Sequence, residues 1–242
     1  MRLKITISYN GRAFKGSQIQ SSQNVDTVNG TVQKCLKLIN IDAKVDASGR
    51  TDSGVHASAQ VIHVDVPPHF SDTTKFKTLL NKMLPNTIKV KRVERVSSEF
   101  HSRFSAKSRV YRYFIKVGES NPFEDDFVTF VDALHVERIN DAIRLFIGTH
   151  NFKFFKKNGS STATDIRTIT KAYMYKHKDY YIINLEANSF LRAQVRLIVG
   201  FLLKVSDGKL TKKELQEQLE LKRVHNRHLA PASGLYLAKI KY

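Results

Sequence analysis

Hydrophobic and polar residues alternate at the start of the chain and later recur at helical spacing. Leu3, Ile5, Ile7 and Tyr9 alternate with polar residues, which predicts a strand. Apolar residues from Val28 to Ile39 recur every three or four positions and predict a helix with Thr27 as its N-cap. The same patterns predict further strands over residues 43–47, 59–66, 88–96, 110–117, 169–175, 180–187 and 235–240, and helices over 74–84, 137–146, 190–205 and 212–221.

Strands and helices alternate with a similar rhythm in each half of the chain. This order favours an α+β fold, with two related mixed α/β halves that share a largely antiparallel sheet. We place the boundary after residue 104. An N-terminal α+β half then covers residues 1–104, and a C-terminal α+β half covers residues 105–242.

The net charge of the chain indicates what kind of partner the protein binds. The 242 residues carry 40 Lys and Arg against 22 Asp and Glu, a formal net charge of +18 spread over both halves. Such a surface attracts polyanions, and RNA or DNA phosphate is the usual partner of a protein of this kind. A basic protein without a nucleic-acid partner is the alternative.

Cysteine content and hydropathy bear on whether the protein is disulfide-bonded, secreted or membrane-spanning. A single cysteine, Cys35, excludes an intramolecular disulfide and a multi-cysteine structural zinc site. The N-terminus lacks the apolar region of a secretory signal, and the longest strongly apolar run, LIVGFLL, is too short to span a membrane. These features predict a soluble, reduced, cytoplasmic protein.

A glycine-bracketed acidic loop is the sharpest local feature. Residues 49–57 read GRTDSGVHA, and Arg50 lies two positions before Asp52. An oriented carboxylate at a rigid loop edge can act as a nucleophile or a base. Two other interpretations remain open: an Asx-turn in which Asp52 caps its own loop, and a metal pair formed by Asp52 and His56.

Two further segments combine arginine with apolar residues. Residues 100–114, FHSRFSAKSRVYRYF, interleave basic and aromatic side chains, a pattern that fits either RNA phosphates and bases or a half-buried strand. Residues 188–200, NSFLRAQVRLIVG, place Arg192 and Arg196 four positions apart, which predicts a shared helix face. That face could clamp a phosphate or a carboxylate, or could simply be solvated.

Taken together and in this order, GRTDSGVHA, FHSRFSAKSRVYRYFI, NSFLRAQVRLIVG and PASGLYLAKIKY resemble the tRNA pseudouridine synthase A family over nearly the whole chain. The resemblance implies isomerisation of uridine to pseudouridine in the anticodon stem-loop of tRNA, at tRNA positions 38, 39 and 40. It implies no cofactor and no metal, no membrane association, a homodimer, and a basic central cleft between the two halves with Asp52 on its floor.

The resemblance also assigns roles to individual residues. It implies that Asp52 is the nucleophile, that Tyr111 contacts the target base, and that Arg196 is the basic partner of the aspartate. Arg50 matches a residue that holds the base out of the stack, and Leu235 matches an apolar wall of the pocket.

The sequence departs from the family pattern at two places. Ser17 stands where the pattern has Trp, which we expect to alter packing near the cleft. Residues 190–197, FLRAQVRL, also differ and bear on how Arg196 is positioned. Two rival functions remain: a non-catalytic RNA-binding protein or RNA chaperone, and a metal-dependent RNA phosphohydrolase that uses Asp52 and His56.

Overall fold

The computed structural model describes residues 1–20, 26–159 and 163–242. The chain forms two compact units: unit 1 contains Met1–Lys107 and Tyr236–Tyr242, and unit 2 contains Ser108–Leu235. The last seven residues, Tyr236–Tyr242, thus belong to unit 1. The predicted division after residue 104 assigned them to the C-terminal half, because it divided the chain at a single point. In the described part of the chain, no helix has both the length and the apolar character needed to cross a bilayer.

Strands and α-helices are interspersed along the described residues. The strands are β1 (Arg2–Tyr9), β2 (Asp46–Ala47), β3 (His56–Asp65), β4 (Ile88–Arg95), β5 (Ser108–Val117), β6 (Thr129–Val131), β7 (Gly148–Asn151), β8 (Ile166–His177), β9 (Tyr180–Ala187) and β10 (Leu235–Lys241). The helices are α1 (Val28–Lys37), α2 (Thr73–Met83), α3 (Val136–Ile143), α4 (Gln194–Ser206) and α5 (Lys212–Leu219). The short strands β6 and β7 were not predicted.

The sheet of unit 1 is built around β1. This strand pairs antiparallel with β3 on one side and with β4 on the other. Leu3, Ile5 and Ile7 are fully buried, so the alternation in the sequence marks the core face as predicted. Helix α2 packs against β4 and α1 packs against α2.

Strand β3 begins three residues earlier than its pattern predicts. It was expected from residue 59 but begins at His56, because β10 pairs with it in parallel at His56 and Ala57. A partner strand from the other end of the chain leaves no trace in the local pattern. The pairing also places the residues just before His56 at the end of a hydrogen-bonded strand.

The sheet of unit 2 runs in the order β5-β9-β8-β7, with all three pairs antiparallel and β6 parallel to β5. The predicted β8–β9 hairpin is confirmed, and Lys178 adopts a left-handed conformation in its turn. Helix α3 packs against α4, α5 and β8. Four fully buried phenylalanines form much of this core: Phe146, Phe152, Phe155 and Phe201.

The expected fold class is confirmed, since each unit is mixed α/β on a mostly antiparallel sheet. The start of α4 differs from its prediction. The helix begins at Gln194 rather than at residue 190, because Ala193 has a φ of 59° and the Gln194 side chain accepts a hydrogen bond from the Leu191 amide at 2.7 Å. Arg192 therefore precedes the helix, and the prediction that Arg192 and Arg196 share a helix face is wrong.

Candidate active site

The acidic loop of unit 1 connects β2 to β3 and presents Asp52 at its edge. Asp52 is half-buried, whereas Arg50 and Ser53 are exposed. The Val55 amide donates to the Asp52 backbone carbonyl at 3.2 Å, and Gly54 takes the left-handed conformation that this turn requires. The structure thus places Arg50 and Asp52 on one short loop, with the carboxylate next to a tight turn.

Thr51, the residue before Asp52, is held from two sides. Its amide donates to the Ser17 hydroxyl at 2.9 Å, and its carbonyl accepts from the Ser17 amide at 3.1 Å. Its hydroxyl lies 2.8 Å from the hydroxyl of Tyr9 on β1. Burial raises the pKa of Tyr9 to about 12, so this phenol stays neutral at physiological pH. The loop is therefore a fixed part of unit 1.

Two further bonds fix the two ends of the loop. The fully buried Gln60 side chain donates to the Gly49 carbonyl at 2.7 Å. The Gly11 amide donates to Nδ1 of His56 at 3.0 Å, and the His56 ring stacks on Tyr236 at 4.7 Å between ring centroids. His56 therefore serves the packing of unit 1, which weakens its interpretation as a metal ligand beside Asp52.

A different cluster has the side chains that bind metals. Within residues 1–20, 26–159 and 163–242, the only group of three or more such side chains is Asp46, His63 and His101, whose ligand atoms lie within 4.8 Å of one another. Nδ1 of His101 accepts from the amides of Arg103 and Phe104 at 3.1 and 3.4 Å. When neutral, this ring carries its proton on Nε2, so that nitrogen is a hydrogen-bond donor rather than a metal ligand.

Sequence reasoning missed this cluster because its members are 17 and 38 residues apart, a separation without any motif spacing. Burial lowers the pKa of His63, and the neighbouring His101 and Arg2 lower it further. His63 and Ser102 also lie 2.9 Å apart between Nδ1 and the hydroxyl. These contacts tie β3 to the turn that begins at His101.

Strand β5 of unit 2 carries Tyr111 and Tyr113 on its buried side. Tyr111 is 8% exposed and packs edge-to-face against Phe190, with ring centroids 5.2 Å apart. The fully buried hydroxyl of Tyr113 bonds Thr129 at 2.6 Å and the Pro231 carbonyl at 2.9 Å, and burial raises the pKa of Tyr113. Arg112 between them is exposed. Of these two tyrosines, Tyr111 is the one that the family resemblance implies to contact the target base.

Arg196 lies in the first turn of α4 and is held by the segment of residues 225–231. Its Nε donates to the Ala230 carbonyl at 2.8 Å, while the Ala230 amide donates to the Arg196 carbonyl at 3.1 Å. The buried Gln218 side chain anchors this segment by accepting from the amides of His225 and Asn226 at 2.8 and 2.9 Å. The Gln218 side chain bonds backbone amides and Ala230 bonds through its own backbone, and no sequence motif reveals such contacts.

Leu235 is the remaining predicted site residue in unit 2. It is 4% exposed at the start of β10, and the preceding Gly234 carbonyl accepts from the Phe114 amide at 2.8 Å. A Cβ on Gly234 would lie 2.8 Å from the Tyr113 ring, so only glycine fits there. The structure thus gathers Arg50 and Asp52 on one loop of unit 1, and places Tyr111, Arg196 and Leu235 in unit 2.

Comparison with known proteins identifies the family. The family model described as tRNA pseudouridine synthase matches residues 5–105 and 142–242. A Wolinella succinogenes protein named tRNA pseudouridine synthase A is 40% identical over 98% of this chain and 92% of its own length. A protein of the same name from Campylobacter jejuni is 38% identical over the full length of both chains. Another from Limosilactobacillus reuteri is 37% identical over 100% of this chain and 96% of its own.

Among solved structures, a chain of a Cbf5-Nop10-Gar1 complex aligns with 83% of this chain and 45% of its own length, at 10% identity and a TM-score of 0.36. The family model covers most of the chain, and the named relatives match it from end to end. The chain therefore belongs to the tRNA pseudouridine synthase family, whose members are isomerases that convert uridine to pseudouridine in tRNA.

Proposed function

We propose that this protein isomerises uridine to pseudouridine in the anticodon stem-loop of tRNAs, at tRNA positions 38, 39 and 40, with Asp52 as the reacting carboxylate. The observation that carries the proposal is the Asp52 loop itself. A half-exposed carboxylate follows a threonine whose amide, carbonyl and hydroxyl all have partners, in a chain of this family.

The reaction needs one carboxylate and no change of oxidation state. The bond between uracil N1 and ribose C1′ breaks, the uracil turns, and C5 bonds to C1′; the proton on C5 leaves to solvent and N1 takes up a proton, so the product is an isomer of the substrate. Asp52 serves by attacking either the sugar at C1′, from which C5 later displaces it, or C6 of the base, from which it is later eliminated, so both routes return the free carboxylate and give the same product. Neither route calls on a metal or a cofactor, and we propose that the enzyme uses none.

The remaining site residues act on the uridine and on the carboxylate. The base must first leave its stack, which costs a few kcal/mol and costs less in a loop than in a stem. We propose that exposed Arg50 helps hold the base out and that Tyr111 offers the base an aromatic face and a hydroxyl. Leu235 supplies an apolar wall, and Arg196 supplies the positive charge that accompanies Asp52 during the reaction.

The charge of the chain suits a tRNA substrate. A net charge of +18 attracts the phosphate groups of a nucleic acid. Phe104, which is 75% exposed with the Arg103 guanidinium 5.4 Å from its ring, offers a surface on which an unpaired base can stack. We also propose that the protein acts in the cytoplasm, since its named relatives are bacterial tRNA pseudouridine synthases. We further propose that it is a homodimer, which sedimentation of the purified chain would test.

The experiment is a tritium-release assay. A tRNA transcript with tritium at uridine C5 is incubated with the protein in EDTA, since moving the glycosidic bond to C5 releases that tritium to water. We expect release by the wild type and none by Asp52→Asn, with tRNA affinity changed by less than about twofold because a carboxylate makes no favourable phosphate contact.

Asp46→Asn is the matched control, because it removes a carboxylate of the same unit that is not on the Asp52 loop. This variant should release tritium at the wild-type rate. Binding without release by the wild type would favour an RNA-binding protein or RNA chaperone. Release that stops in EDTA would show that a metal is needed.

A further inference from the structure

Thr51 is hydrogen-bonded to two residues near the start of the chain, Tyr9 and Ser17. Its amide, its carbonyl and its hydroxyl each bond to Ser17 or Tyr9, at 2.9, 3.1 and 2.8 Å respectively. Thr51 is 7% exposed and Ser17 is 1% exposed, so these bonds are shielded from water. Shielded bonds of this kind are costly to leave unmade.

Ser17 is itself held firmly. Its carbonyl accepts from the Asn29 amide at 3.0 Å, and the carbonyl of Gly16 accepts from the Val28 amide at 3.2 Å, both in the first turn of α1. Gly16 has a φ of +103°, and a Cβ there would lie 3.0 Å from the Thr51 carbonyl oxygen. Ser17 therefore connects the start of a helix to the residue before Asp52.

The bonds from Ser17 and Tyr9 hold the peptide unit between Thr51 and Asp52. The Thr51 carbonyl, the Asp52 amide and the Asp52 Cα lie in one rigid plane, so the bonds to Thr51 fix the position of that Cα. The Asp52 carbonyl on the other side accepts from the Val55 amide at 3.2 Å, and with both peptides held the direction in which the side chain leaves the backbone is set. We propose that Ser17 and Tyr9 are positioning residues that aim the Asp52 carboxylate through Thr51. The inference rests on the proposed function, in which Asp52 is the reacting group.

The Ser17 side-chain bond depends on a hydroxyl oxygen that can accept from an amide. The pattern that the sequence resembles has Trp at this position, and an indole N–H can only donate a hydrogen bond. A tryptophan side chain could not accept from the Thr51 amide. The serine hydroxyl thus adds a contact at the residue next to Asp52.

The test separates the chemical step from binding. Ser17→Ala should lower the single-turnover rate of tritium release by about 10- to 100-fold, the range expected when a reacting group is displaced by a fraction of an ångström to 1 Å. The dissociation constant for tRNA should stay within about twofold, because no phosphate contact is removed. Ser17→Thr, which keeps the accepting oxygen, should restore most of the rate.

Ser206→Ala is the matched control for loss of a buried serine bond. Ser206 is also 1% exposed, and its hydroxyl accepts from the backbone amide of His135 at 2.8 Å. Its loss should lower the melting temperature as much as Ser17→Ala does, with an unchanged single-turnover rate. Equal rate losses in both variants would mean that Ser17 has only a structural role.

Tyr9→Phe provides a second, independent variant. It should lower the single-turnover rate by about three- to tenfold, and the double variant should be less impaired than the product of the two single effects, since both act through Thr51. Wild-type rates in both single variants would overturn the inference alone, whereas an active Asp52→Asn enzyme would overturn the proposed function beneath it.

Discussion

Two tyrosines two positions apart on β5 have different surroundings. The hydroxyl of Tyr113 bonds Thr129 and the Pro231 carbonyl inside unit 2 and has no solvent exposure. Tyr111 packs its ring against Phe190 and is the residue that we propose to contact the target base. At the scale of single residues, the same side chain therefore stabilises the fold at Tyr113, whereas at Tyr111 we propose that it serves the reaction.

Tyr111→Phe should slow the chemical step more than it weakens binding. Loss of one hydrogen bond to the base corresponds to a decrease of about tenfold in the single-turnover rate, with a tRNA dissociation constant within about twofold of wild type. Rapid-quench tritium release and filter binding measure the two quantities. An unchanged single-turnover rate would argue against any role for the Tyr111 hydroxyl.

Tyr113→Phe is the comparison on the same strand. It leaves the buried Thr129 hydroxyl and the Pro231 carbonyl without this partner, and should lower the free energy of unfolding by about 1–3 kcal/mol. Urea denaturation measures this loss.

At the scale of elements, α4 and the segment of residues 225–231 form one support for Arg196. The segment crosses α4 so closely that a Cβ on Gly200 would lie 2.1 Å from the His228 carbonyl oxygen. Ala230 bonds Arg196 through both its amide and its carbonyl. A glycine in the middle of an apolar helix thus lets another backbone approach the turn that carries the arginine.

Gly200→Ala should therefore destabilise the protein. In an ordinary helix the change gains about 0.5–1 kcal/mol, but here the methyl group overlaps a carbonyl, and we expect a loss of about 2–3 kcal/mol. Urea denaturation measures the difference, with Lys204→Ala on the partly exposed side of the same helix as a control that stays within about 0.5 kcal/mol. A midpoint at or above the wild-type value for Gly200→Ala would contradict the close crossing.

At the scale of the whole molecule, we expect electrostatic attraction to govern the encounter with tRNA. The excess of 40 basic over 22 acidic side chains is distributed along the chain rather than gathered in a tail. Attraction of this kind depends on displaced counterions and is insensitive to base sequence. We therefore expect the protein to bind tRNAs with little dependence on their base sequence.

Affinity for tRNA should fall steeply with salt. If six to ten phosphates are neutralised, the association constant decreases by about 10³- to 10⁵-fold between 50 and 200 mM KCl. Asp52→Asn should show the same slope in a plot of log affinity against log salt, because the substitution changes the reaction and leaves the phosphate contacts intact. Filter binding at five salt concentrations gives both slopes, and a slope shallower than about −2 would contradict this view of recognition.

Much of the fold was predictable because it follows from local periodicity. The alternation through Leu3, Ile5 and Ile7 gives β1, and Thr27 caps α1 by accepting from the Gly30 amide at 3.2 Å. The elements that differed depend on partners distant in sequence or on backbone conformation. Strand β3 starts early because β10 pairs with it, and α4 starts late because Ala193 is left-handed.

The sequence by itself singled out the Asp52 loop and the arginine–tyrosine run of β5 as candidates for chemistry, and its resemblance to the family implied which residues in them act. Only the tertiary structure decided what holds them: Ser17 and Tyr9 on Thr51, and Ala230 on Arg196. These contacts join residues 34 to 42 positions apart through backbone atoms and hydroxyl groups, which every sequence possesses. Which of them meet is fixed by the path of the folded chain, and a one-dimensional pattern does not record that path.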